Sequence, residues 1–144
     1  MIDFTIKNLF FDRIAVTRAV DKAKRAALSK AGAFIRTTAK RSIRTRKGAA
    51  PPGKPPHSHK GTLRRLIFFG YDPSSDSVVV GPVGFPRSRA PNVLEFGGKV
   101  TRVRRRRGKQ PREKAAYESR PYMGPALEKE RPKLSKQWAG SVRG

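Results

Sequence analysis

The 144-residue chain has no cysteine, only two histidines and only 10 acidic residues. The absence of cysteine excludes a disulfide framework and thiol chemistry. No apolar run approaches the roughly 18 residues of a membrane span, and the first residues lack the basic segment and long apolar core of a signal peptide. We therefore expect one soluble intracellular domain, residues 1–144, with no membrane contact.

The scarce acids are also unevenly placed. Lys and Arg number 34, so the formal net charge is +24, and residues 22–71 and 96–112 contain no acid at all. Few aromatics interrupt these spans, which favours contact with a phosphate backbone or with acidic neighbours over base stacking; a merely solvated face is the alternative. The predicted contact residues are Arg41, Arg44, Arg46, Lys47, Arg104, Arg105, Arg106, Arg107 and Lys109.

Hydrophobic periodicity predicts an α+β fold. Residues 2–7 alternate as a short strand, and residues 12–46 follow an alanine-rich helical period in which Gly32 is a weak point. The turn "DPSSD" joins two strands. A helical turn near residue 91, another strand and a helix from about Gly124 complete a long N-terminal helix packed on a small antiparallel sheet, with a C-terminal helix. Pro132 should kink or delay that last helix.

Two segments read as extended arms that reach other molecules. The first arm, residues 47–61, reads "KGAAPPGKPPHSHKG", and its prolines and glycines cannot continue a helix. The second arm, residues 104–118, begins in the densest basic run. We expect neither arm to be ordered before assembly, because such compositions bury too little apolar surface.

The sequence offers little for catalysis, and we predict no enzyme, no metal and no cofactor. His57 and His59 form an H-x-H pair without cysteine or a nearby acid, so polar loop residues are a better reading than zinc ligands. Glu95, in "NVLEFGG", has no histidine or second acid near it in sequence. An enzyme acting on nucleic acid would need a metal-binding acid cluster that the sequence does not display.

For residues 95–98 and 120–127 the sequence predicts structural roles instead. Gly97 and Gly98 can reverse the chain, Phe96 is expected to anchor the turn in the core, and Glu95 either pairs with an arginine or caps backbone N–H groups. "RPYMGPAL" reads first as core packing before a helix and second as a partner-binding patch. The candidate subunit-interface residues in it are Pro121, Tyr122, Met123 and Pro125.

Five motifs follow one another along the chain, and their order is more specific than any one of them. They are "AKRSIRTR", a proline-rich loop leading to "GTLRRLI", then "VVVGP", "NVLEFGG" and "RPYMGPAL". The series resembles the tail-component, or neck, family of long-tailed bacteriophages, which includes minor tail proteins of the Z type and is related to tail-completion proteins. "EFGG" looks like the family's E-F-G-G signature, and "RPYMGPAL" looks like its R-P-F-L-x-P-A-L stretch. The resemblance covers about residues 12–135, with departures at Lys60 and Leu66.

The resemblance implies a structural virion protein at the joint between head and tail. It implies a homo-oligomeric ring around the DNA channel, between head-closure or adaptor proteins and tail-terminator or tail-tube proteins, with double-stranded DNA as a further contact. It also implies that Glu95, Phe96, Gly97 and Gly98 are a structural signature, and that the protein passes through the host cytoplasm during assembly. Composition alone favours the rival hypothesis, a basic nucleic-acid-binding protein of the ribosome-associated or nucleoid type.

Overall fold

The computed structural model describes residues 12–85, 88–103 and 112–139. In chain order its elements are α1 (Arg13–Ser42), α2 (Thr62–Arg65), β1 (Ile67–Asp72), β2 (Ser77–Pro82), α3 (Ala90–Phe96), β3 (Gly98–Val103), β4 (Arg112–Tyr117) and α4 (Met123–Trp138). β1 pairs with β2 and β3 pairs with β4, each as a two-stranded antiparallel ladder. The α+β prediction is confirmed. The strand expected at residues 2–7 lies outside the described residues.

Helix α1 is the scaffold. It has 30 residues and is therefore about 45 Å long. It begins after Asp12, whose carboxylate accepts the Ala15 N–H at 2.9 Å, a typical N-cap bond. A Cβ on Gly32 would lie 2.6 Å from Val78 Cγ2, so the β1–β2 hairpin can approach the helix only because this residue has no side chain. The buried stripe of α1 consists of Ala23, Ala27, Ala31, Gly32, Ile35 and Ala39.

The hydrophobic core lies where the C-terminal half of α1 meets α2, β1 and the start of α4. Burying one large apolar side chain stabilises a fold by about 1.5–3 kcal/mol, so this small cluster supplies much of the cohesion. Val80, Phe85, Leu94 and Met123 pack against it from the side. The buried members are Ile35, Ala39, Ile43, Leu63, Ile67, Tyr122 and Ala126.

The β1–β2 turn is fixed by its own polar side chains, as "DPSSD" predicts. The hydroxyl and N–H of Ser74 and the hydroxyl of Ser75 donate to the Asp72 carboxylate. These bonds, of which that of the Ser74 hydroxyl has the largest effect, lower the pKa of Asp72 to about 2. At the other end of the turn the Asp76 carboxylate accepts the Tyr71 hydroxyl and pairs with Lys24 of α1. The hairpin tip is therefore fastened to the helix.

The first arm packs against the rest of the chain. The Ser58 N–H donates to the Arg44 carbonyl at 2.9 Å, and Arg120 Nε donates to the Ala50 carbonyl at 2.6 Å. Both Ser58 and Ala50 are buried. Residues 47–61 thus have ordered contacts within the chain, although their composition predicts disorder before assembly.

The second arm is in part a strand. Residues 112–117 form β4, which pairs with β3 in the register Val100↔Ala115 and Gly98↔Tyr117; residues 104–111 lie outside the described part. The alternation in "REKAAY" is weak, so only the pairing with β3 defines this strand. Helix α4 starts at Met123 and continues through Pro132, so the proline does not delay it.

Candidate functional site

The three N–H groups at the start of α4 all donate to Glu95. Glu95 Oε2 accepts the N–H of Tyr122 at 2.9 Å and of Met123 at 3.0 Å, and Glu95 Oε1 accepts the N–H of Gly124 at 2.7 Å. The N-cap residue Tyr122 makes no side-chain capping bond itself. A carboxylate from α3 therefore caps α4, which is one of the two roles expected for Glu95.

This cap has both a hydrogen-bond and a charge component. The first N–H groups of a helix have no partner within the helix, and a negative charge at this end is further stabilised by the helix dipole, by about 0.3–1 kcal/mol. A capping side chain contributes about 0.5–2 kcal/mol. Because Glu95 lies 27 positions before Tyr122, the bond joins two distant parts of the chain and fixes the angle between α3 and α4.

Gly97 makes the close turn at this point possible. Its φ is +73°, and a Cβ there would lie 3.0 Å from both the Ser119 nitrogen and the Tyr117 oxygen. With ψ at −171°, a non-glycine residue would add the strain of a backbone conformation that essentially only glycine adopts, about 1–3 kcal/mol, to contacts with backbone atoms that cannot move alone. The elbow, residues 95–98, is therefore a close turn that depends on glycine, as the sequence predicts.

Phe96 corrects one part of the prediction. It was expected to anchor the elbow in the core, but its side chain is 80% exposed. Helix α3 directs the Glu95 side chain towards α4, and Phe96, the next residue of α3, consequently points outwards. Phe96 lines an open apolar groove together with Val79 and Leu127, two further large side chains with high exposure.

The four residues proposed for a subunit interface divide between core and surface. Tyr122 is only 1% exposed and is part of the protein's own core, the reading favoured from the sequence. Burial, followed by the nearby negative charge of Glu95, raises the pKa of its phenol to about 12. Pro121 and Met123 are half-buried and Pro125 is exposed. A subunit interface at these four residues stays a prediction.

The predicted basic contact residues are brought together only in part. Arg41, Arg44, Arg46 and Lys47 are all exposed and follow one another at the end of α1 and the start of the first arm. Residues 104–107 and Lys109 lie outside the described part of the chain. The structure therefore describes the predicted contact residues of the first basic span and not those of the second.

A basic recess at the end of α1 includes Arg41, and its other lining residues were not predicted. It is lined by Thr37, Lys40, Arg41, Thr45, Gly61, Arg64 and Arg65. Burial, followed by repulsion from Arg36 and Arg64, lowers the pKa of Lys40 below its usual 10.5. All four cations belong to the acid-free span of residues 22–71, so their charge was visible in the sequence. Their convergence was not, because it depends on the path of the first arm.

Residues that bind metal ions are not clustered in the described part of the chain. Within residues 12–85, 88–103 and 112–139, no group of three or more His, Cys, Asp or Glu is placed to hold a metal ion. His57 pairs through its main chain with Arg44, and its Nδ1 is buried without a partner among these residues.

No family model, curated protein or solved structure matched the chain when it was compared with each. In the described part of the molecule, no helix is long and apolar enough to cross a membrane.

Proposed function

We propose that this protein is a structural subunit of the head–tail connection of a long-tailed bacteriophage. Copies of the chain would form a ring around the DNA channel, between head-closure or adaptor proteins and tail-terminator or tail-tube proteins. The work of such a protein is binding and geometry, and no enzymatic step is part of the proposal.

The elbow is the observation that carries the proposal. Two of the residues that resemble the phage neck signature have structural roles, because Glu95 caps α4 and Gly97 permits the turn, while Phe96 is exposed. A catalytic reading of Glu95 is poorly supported, since both of its oxygens are taken by backbone N–H groups.

The apolar groove is the surface we assign to a neighbouring copy in the ring. Its exposed rim is formed by Val79, Phe96 and Leu127, which belong to three different elements held in place by the hairpin, the elbow and α4. Burying a side chain such as Phe96 against another subunit would contribute about 1.5–3 kcal/mol. Repetition of this contact would give a ring its cohesion.

Electron microscopy of phage particles made without this gene tests the proposal. We expect DNA-filled heads and separate, finished tails, because the joint between them would be missing. Particles made without a tail-tube protein serve as the comparison, since they should contain filled heads but no finished tails. Normal infectious particles would contradict the proposal.

The second candidate function is a basic nucleic-acid-binding protein of the ribosome-associated or nucleoid type. The basic recess favours it, because four cations converge there without a lining carboxylate among the described residues. This candidate would take first place if particles lacking the protein were complete and infectious while the purified protein bound duplexes tightly.

A further inference from the structure

We propose that the basic recess is a binding site for the phosphodiester backbone of duplex DNA. The proposal names the site and the ligand for the second candidate function, on which it rests, and it can fail or hold independently of the assembly of a ring. No base-specific contact is implied, because the cations offered are those that typically bind phosphates irrespective of sequence.

Two separate elements deliver the cations. Lys40 and Arg41 lie in the last turn of α1, and Arg64 and Arg65 lie on α2. Gly61, with φ +69°, turns the end of the first arm back towards α1. The recess is therefore a product of tertiary structure rather than of one charged helix face.

Such a convergence is unfavourable in the free protein. Positive charges at short distances repel one another. The pKa of Lys40 is lowered mainly by burial, and repulsion from Arg36 and Arg64 adds to the effect. An anion placed in the recess would relieve the repulsion. The fold thus holds a charge arrangement that a polyanion complements.

The lining favours nucleic acid over an acidic protein surface. Protein–protein interfaces have an apolar core, whereas protein–DNA interfaces are polar and strongly positive. Among the described residues that line the recess, the non-cationic ones are Thr37, Thr45 and Gly61, and none is a large apolar residue. Arginine forks also match phosphate oxygens in pairs. The exposed Arg44, Arg46 and Lys47 follow Arg41 in the sequence and add positive charge after the end of α1.

Anisotropy titration of a labelled 20-base-pair duplex, at several salt concentrations, tests the site. The test variant is Arg64→Gln/Arg65→Gln, and the matched control is Arg18→Gln/Lys22→Gln, which removes the same charge from exposed positions in the first half of α1. Each lost phosphate contact lowers the slope of log affinity against log salt by about 0.9. We expect the recess variant to lose about 1.8 in slope, so that its affinity falls further below that of the wild type as the salt concentration decreases.

The control variant is expected to keep the wild-type slope. Equal weakening of both variants would overturn the proposal, because net charge alone would then explain binding. A 20-residue polyglutamate peptide is titrated in parallel. If the recess variant lost affinity for this peptide and not for the duplex, the recess would be a protein-binding site and the proposal would be wrong.

A second measurement uses the unaltered protein and so does not depend on how a variant folds. The ionisation of Lys40 is followed by NMR of its ε-carbon, assigned by its disappearance in Lys40→Arg. We expect the pKa of Lys40 to rise when the duplex is added, because a nearby phosphate stabilises the ammonium form. An unchanged pKa with saturating duplex would place the DNA elsewhere.

Discussion

At the residue scale, Glu95 belongs to the "EFGG" motif and caps helix α4. Its negative charge adds an interaction with the helix dipole that an uncharged cap lacks. Glu95→Ala removes the acceptor of three N–H bonds, and we expect the free energy of unfolding to fall by about 1–3 kcal/mol. Glu95→Gln keeps one acceptor oxygen but loses the charge and turns an amide NH2 towards backbone donors, so a smaller loss is expected. Urea unfolding followed by circular dichroism measures both.

Glu118→Gln is the matched control for Glu95, since Glu118 is an exposed glutamate just before α4. It should leave the unfolding midpoint unchanged. Wild-type stability in Glu95→Gln would mean that the charge of the cap contributes nothing, and the dipole part of the interpretation would then be wrong.

At the element scale, α1 and α4 are joined by a polar contact next to the core. Glu130 is 4% exposed, and its carboxylate accepts the Thr38 hydroxyl at 2.6 Å and pairs with Lys133 at 3.1 Å. The Thr38 hydrogen bond, followed by that to Lys133, lowers the pKa of Glu130 below its usual 4.5. The buried charge is therefore favoured by its partners.

This lowered pKa predicts a pH dependence of definite sign. The unfolded chain binds a proton at Glu130 near its usual pKa of 4.5, whereas the folded chain does so at lower pH. The stabilisation is present above that pH and is lost as the pH falls through the folded pKa. We expect the acid limb of stability against pH to be shallower in Glu130→Gln and in Thr38→Val than in the wild type.

Urea unfolding at intervals between pH 3 and 6 measures the difference. Asp72 and Asp76 also have lowered pKa values, so only the comparison between wild type and variants isolates Glu130. Parallel curves for wild type and Glu130→Gln would show that the Thr38 contact does not persist in solution.

The elements themselves were largely predictable, because their signals are local. The alanine period of α1, the "DPSSD" turn and the "VVV" strand each fix their structure within a few residues. Strand β4 was missed because "REKAAY" owes its conformation to pairing with β3. Likewise, the direction of Phe96 and the meeting of Lys40 with Arg64 depend on how elements pack, which local sequence does not encode.

At the scale of the whole molecule, the net charge of +24 acts oppositely on the two proposed interactions. Contact between copies brings like charges together and is weakened by repulsion at low salt. Binding to DNA releases counterions and is weakened at high salt. The screening distance is about 10 Å at 0.1 M salt and about 3 Å at 1 M, so salt alone should move the protein between the two modes.

Analytical ultracentrifugation at 0.1 and 0.5 M salt tests the self-association half of this argument. We expect the wild type to form larger species as salt rises, since screening removes repulsion while the apolar contact remains. Phe96→Ser should weaken this association about tenfold or more, in line with about 1.5–3 kcal/mol for one buried aromatic side chain. Its thermal stability should stay near wild type, because the Phe96 side chain is exposed in the monomer.

The matched control is Ile14→Ser, which removes an exposed apolar side chain at the start of α1, away from the groove. Equal effects of the two variants, or a monomer at every salt concentration, would remove the apolar groove as the contact between copies and leave ring formation dependent on head and tail partners.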